Sequence, residues 1–168
     1  NISHEYNIPG IYNVKLSVTD SNNNKKTQEF YVRIDFFGTK RDTGIGNPGE
    51  FLINTGNQSD AINRPEITIS TDITNTQTST PVSNPVTGNS FEVEWKLFDG
   101  EGVEVANEKI TVNDGETKTI EITTKTESYV LEEWRLEITK NSDDEATTES
   151  TAIIKYPMIE QAIDRVPE

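Results

Sequence analysis

Apolar residues occupy alternate positions over one short stretch after another of this chain, and nearly every stretch closes on Gly, Asn or Asp. That rhythm excludes a helical protein and predicts short antiparallel strands. Tyr12, Val14, Leu16 and Val18 fall on one face, with Asn13, Lys15, Ser17 and Thr19 on the other, the pattern of a half-buried strand. Asp20 to Asn24 is a run of turn formers, and Thr27 to Asp35 repeats the alternation with Phe30, Val32 and Ile34 on one face. Together they predict a hairpin.

The same rhythm returns after Pro65. Stretches at 66–72, 91–98, 103–112, 117–123, 130–139 and 147–156 alternate, with turns at 99–102, 113–116 and 141–145. Short strands punctuated in this way predict an antiparallel β-sandwich. Its inward set is Phe91, Val93, Trp95, Leu97, Ile110, Val112, Ile120, Ile122, Trp134, Leu136, Ile138 and Ile154. Trp95 and Trp134 share their faces with Val93, Leu97, Leu136 and Ile138, so periodicity makes them core residues rather than sugar-stacking platforms.

Three stretches break the pattern. Residues 36–64 are interrupted by Gly38, Gly44, Gly46, Gly49 and Gly56; only 50–54 has the make-up of a short strand, and the rest reads as a linker with a domain boundary near Asn63. Residues 75–89 are too rich in Pro and Thr for a central strand. The tail, 157–168, has Pro at its start and Met158, Ile159, Ala162, Ile163 and Val166 on one helical face, giving either a short helix or a frayed end.

The first hairpin carries a family resemblance. His4-x-Tyr6, the Pro9-Gly10 turn and Ile-Tyr-x-Val-x-Leu-x-Val-Thr-Asp from Ile11 to Asp20 resemble the last strands of a PKD domain, an extracellular immunoglobulin-like sandwich of surface and secreted proteins. The likeness covers residues 4–35, and the family's earlier Trp-x-Phe-Gly-Asp-Gly type turn does not occur in this chain. The later strand and turn order more loosely resembles CARDB and related bacterial immunoglobulin-like domains, which are adhesion and spacer modules. The fold expected is therefore all-β: PKD-like strands over 1–35, a linker over 36–64, an immunoglobulin-like sandwich over 65–156 and a tail over 157–168.

Composition narrows the function. Fifteen Lys and Arg against 29 Asp and Glu give a net charge of -14, which repels nucleic acid and anionic membrane surfaces. There is no Cys, so disulfides, thiolate zinc and a Cys nucleophile are excluded. No apolar run approaches the roughly 20 residues of a membrane-spanning helix. The sequence begins at Asn1 with no visible signal peptide, which leads us to expect a processed, excised or partly sequenced product.

Candidate chemistry is sparse. His4 is the single histidine, so histidine-based metal clusters and a serine triad are excluded. Glu92, Glu94, Glu133 and Glu137 alternate outward beside the tryptophans, and no carboxylate pair is set up for acid/base work. Calcium is the cofactor that the residues would best suit, through turn oxygens of Asp99, Glu101, Asp114, Glu116, Asp143 and Asp144, although turn propensity alone also places Asp and Asn there. Sequons at Asn1 and Asn57 make glycan a candidate partner.

The expected function is a non-enzymatic structural or adhesive module of a cell-surface, filament, S-layer or virion assembly, meeting other copies or other surface proteins through sheet edges and loops. The rival is a binding or spacer module of a secreted hydrolase. A lone hairpin with an apolar face needs more strands. Either they belong to a truncated domain or a neighbouring subunit supplies them.

Overall fold

The computed structural model describes residues 3–56, 64–76, 89–126 and 128–158. The sequons' Asn1 and Asn57, most of the Pro- and Thr-rich stretch and the tail beyond Met158 lie outside them. Ten strands follow one another: β1 Gly10–Thr19, β2 Lys25–Ile34, β3 Phe36–Gly44, β4 Phe51–Asn54, β5 Glu66–Asn75, β6 Phe91–Phe98, β7 Glu104–Val112, β8 Thr117–Lys125, β9 Glu133–Lys140 and β10 Ala146–Lys155.

Among the described residues β1 and β2 pair only with each other, as a two-stranded antiparallel sheet. The other eight form two four-stranded sheets in the orders β3-β10-β5-β8 and β4-β9-β6-β7. The pairing is nested: β3 with β10, β4 with β9, β5 with β8 and β6 with β7, all antiparallel. An eight-stranded ribbon folded across itself in this manner is a jelly roll.

The all-β antiparallel sandwich is as the alternation implied. Its strand order is not immunoglobulin-like, and the reason lies in residues 36–64. β3, expected as linker, and β4, expected as a short strand within that linker, are outer strands of the two sheets, so the sandwich begins at Phe36 and no boundary falls at residue 64. β3 was hidden because its inward positions are Phe36, Gly38, Lys40 and Asp42, of which only the first is a large apolar residue. A Cβ on Gly38 would lie 2.7 Å from the Phe36 ring and 3.4 Å from the Phe51 ring. Glycine is thus required by the close packing of two aromatic rings. Lys40 closes the lower half by donating to the Glu50 carbonyl at 2.8 Å and pairing with Asp42 at 3.1 Å.

Ten of the twelve expected inward residues are buried, both tryptophans completely. Ile110 and Ile122 are half-buried, because β7 and β8 are edge strands that the facing sheet covers incompletely. The core also holds a polar chain. The Trp95 indole N–H donates to the Thr71 hydroxyl at 3.0 Å, and Thr71 bonds the Ser150 hydroxyl at 3.1 Å, so no group in that chain is left unpaired in the apolar interior.

Candidate functional site

The hairpin β1–β2 is the feature that the sandwich does not absorb. One residue, Asp35, separates β2 from β3, so the hairpin runs into the sandwich without a linker. Its base is fixed there. The Asp35 carboxylate accepts the Tyr156 amide at 2.9 Å and pairs with Arg33 at 3.2 Å, and Arg33 also donates to the Tyr156 carbonyl at 3.4 Å. Ile11 packs on the main core. The Tyr156 hydroxyl donates to the Thr55 carbonyl at 2.8 Å, beside Gly56.

Outward from that base the cover ends. Cross-strand register places Tyr12 opposite Val32 and Val14 opposite Phe30, an apolar face across both strands that continues toward the tip on β1 alone, where Leu16 lies opposite Gln28 and Val18 opposite Lys26. His4 packs edge-on against Tyr6, and Tyr6 packs tilted against Tyr12, each with centroids 4.6 Å apart, which shields the inner end. Toward the tip, Leu16 and Val18 are 49% and 59% exposed. The opposite face is polar and tied across the strands by Lys15 to Glu29 at 2.8 Å and Ser17 to Thr27 at 3.0 Å.

The tip itself is a closed polar turn. Asp20 accepts the amides of Asn22 and Asn24 at 2.8 and 2.9 Å and the Asn24 side-chain amide at 2.9 Å, with Asn23 in the left-handed region at φ 64°. Those bonds, the Asn24 side chain's foremost, hold the Asp20 carboxyl below its ordinary range.

The six residues expected as calcium ligands are not brought together. They occupy three separate turns, and among the described residues no group of three or more His, Cys, Asp or Glu side chains is placed to share a metal ion. Asp99 is buried; its Oδ1 accepts the Glu101 and Val103 amides at 3.0 and 2.8 Å and its Oδ2 the Val130 amide at 2.9 Å. It clasps the β6–β7 turn to the segment before β9, while Glu101 faces solvent. Glu116 accepts the Asn113 amide and side chain at 2.9 and 2.8 Å, and its carboxyl is lowered chiefly by that amide; Asp114 sits on the same turn. Asp144 accepts the Ser142 hydroxyl at 2.9 Å, and Asp143 is exposed. Asp99 is the single buried carboxylate among the described residues, so no buried pair is available there for acid/base chemistry.

Sequence reasoning missed a cleft at the hairpin's base. It encloses about 420 Å³ and is lined by Arg33, Arg64, Lys125, Lys155, Glu66 and Tyr156, among others. The cations come from four distant segments, joined only when β10 and β8 come to lie either side of β5, which places Lys155 and Lys125 on either side of Glu66. Arg64 is held by the Thr126 and Tyr129 carbonyls, each at 2.6 Å.

No family model matches the chain, and no curated protein matches it significantly. Solved structures give remote likenesses. The CBM22-1–GH10 modules of Clostridium thermocellum endo-1,4-β-D-xylanase 10B, complexed with xylohexaose, align at 14% identity and a TM-score of 0.34 over 90% of this chain and 26% of that one. A Bacillus endospore appendage, described as a disulfide-linked pilus, aligns at 14% identity and 0.34 over 94% of this chain and 99% of that one. A chain of infectious bursal disease virus, Gx strain, aligns at 10% and 0.39 over 95% and 38%. The chain therefore spans about a quarter of the xylanase chain and well under half of the viral one. TM-scores and identities this low transfer no function, and the PKD resemblance receives no support from a family match.

Proposed function

We propose that this chain is a non-enzymatic structural or adhesive module of an extracellular assembly, and that the projecting hairpin is its contact element. The observation that carries this reading is the apolar face of β1–β2, anchored at its base and open at Leu16 and Val18. An apolar strand face held out from a folded domain costs solubility unless a partner covers it, and strand addition along a hairpin edge is one way for a partner to do so. β1 and β2 pair with each other, and the chain's own described residues leave Leu16 and Val18 exposed, which supports a surface that a partner covers. The core contributes rigidity. No helix among the described residues is long and apolar enough to cross a membrane.

The test is a photo-crosslinking residue at position 16, with the exposed position 108 of β7 as control, in the protein produced by its native source. Adducts with a neighbouring copy or another surface protein from position 16, and few from 108, are expected. Equal or absent crosslinking at the two positions would refute the reading.

A further inference from the structure

We infer that the basic cleft at the hairpin's base receives the acidic β9–β10 turn of a second copy of this chain, so that copies associate head to tail. The inference rests on the proposed assembly role but uses a different surface from the apolar hairpin face. The argument begins with charge. Residues 1–35 carry Lys15, Lys25, Lys26 and Arg33 against Glu5, Asp20, Glu29 and Asp35, so the whole net charge of -14 resides in residues 36–168. Two copies meeting sandwich to sandwich therefore repel each other. The hairpin's base escapes that repulsion, because the cleft gathers Arg33, Arg64, Lys125 and Lys155 against the single carboxylate of Glu66. Arg33 is partly neutralised by Asp35. The ion pairs among the described residues include neither Lys125 nor Lys155.

The complementary group is at the other end of the same strand. β10 runs from Ala146, next to the turn Asn141 to Glu145, to Lys155 in the cleft, a span of about 33 Å for a ten-residue strand. That turn presents Asp143, Asp144 and Glu145 in succession, the first and last exposed. Its neighbouring cation, Lys140, is turned inward, where Nζ donates to the Gly44, Ile45 and Asp144 carbonyls and lies 5.6 Å from the centre of the Phe91 ring. A donor and an acceptor surface at opposite ends of one rigid strand make a heterologous contact, which adds copies head to tail rather than pairing them across a two-fold axis. The cleft is small beside a stable interface of about 1,200 Å² or more, so the contact is weak alone and is strengthened where copies are held side by side.

The experiment is a charge swap read by sedimentation velocity on the full chain. One variant carries Lys125→Glu and Lys155→Glu, the other Asp143→Lys and Asp144→Lys. At about 0.01 M salt, where the Debye length is about 30 Å, the native chain should associate progressively with concentration. Each variant alone should associate at least about tenfold more weakly, the effect of turning exposed attractive pairs repulsive. An equimolar mixture should recover association, because each reversed cleft then meets a reversed turn. About 1 M salt, with a Debye length of about 3 Å, should abolish it. Native chain that stays monomeric at low salt, or a mixture no better than its components, would overturn the inference. Circular dichroism serves as the control that both variants fold, and the crosslink at position 16 reports on the hairpin face separately, so either proposal can fail alone.

Discussion

Asp99 offers the sharpest quantitative prediction, because the sequence marks it as a calcium ligand and the structure gives its oxygens other work. Its carboxylate accepts three backbone amides at 2.8 to 3.0 Å while only 4% exposed. Replacing it by Ala orphans all three. Glu101 and Val103 lie on the exposed side of the turn and regain water, so each costs about 1 kcal/mol, the low end for a lost bond. Val130 is half-buried and costs about 2 kcal/mol, so Asp99→Ala should lose about 4 kcal/mol. Asp99→Asn keeps one carbonyl oxygen for the Glu101 and Val103 amides but sets its NH₂ against the Val130 N–H, and should lose about 2 kcal/mol. Urea unfolding followed by tryptophan fluorescence would show a lower midpoint at an unchanged slope, with the loss identical in calcium and in chelator. A cost for Asp99→Ala within the roughly 0.5 kcal/mol of an ordinary surface substitution would refute the clasp. So would a chelator that destabilises the native chain and leaves Asp99→Asn untouched, which would put a metal on this carboxylate.

Two further tests address the core and the pH response. Thr71→Val should cost about 2 kcal/mol by stranding the Trp95 indole N–H and the Ser150 hydroxyl, and adding Ser150→Ala should recover part of it, a non-additivity that a double-mutant cycle in urea would measure. The carboxyls of Glu116, Glu94, Glu29 and Asp20 all titrate below their ordinary values, held down first by the Asn113 amide, Lys96, Lys15 and the Asn24 side chain respectively. A depressed folded-state value means that the unfolded chain takes up protons first, so this stability is complete above the unfolded values and drains away as pH falls through the folded ones. Unfolding midpoints should thus fall between about pH 6 and about pH 3, and less steeply in Glu116→Gln.

How far the sequence could be read differed from strand to strand. β1, β2, β6 and β9 were legible because each buries one face completely or shows unbroken alternation, and a period of two is what a pleated strand does with water on one side. β3 was illegible because it lies at a sheet edge, where Gly38 answers to two aromatic rings and Lys40 to a carbonyl of the following loop. Neither requirement leaves a hydropathy signal. Missing β3, and reading β4 as a strand of the linker rather than of the sandwich, moved the domain boundary and changed the strand order, since the two supply the outer members that make the ribbon eight strands long.

The candidate contact surfaces divide in the same way. The acidic turns and the apolar stripe Tyr12, Val14, Leu16 and Val18 lie in contiguous sequence, so local chemistry alone exposed them. Whether the stripe is covered, whether Asp99 faces solvent or three amides, and whether Lys125 and Lys155 meet across Glu66 depended on partners tens of residues away. Period and turn chemistry are properties of neighbouring residues and were settled by the sequence itself as an all-β antiparallel sandwich. Nested pairing, burial and the gathering of like charges are properties of strands brought together from a distance, and only the closed jelly roll decided them.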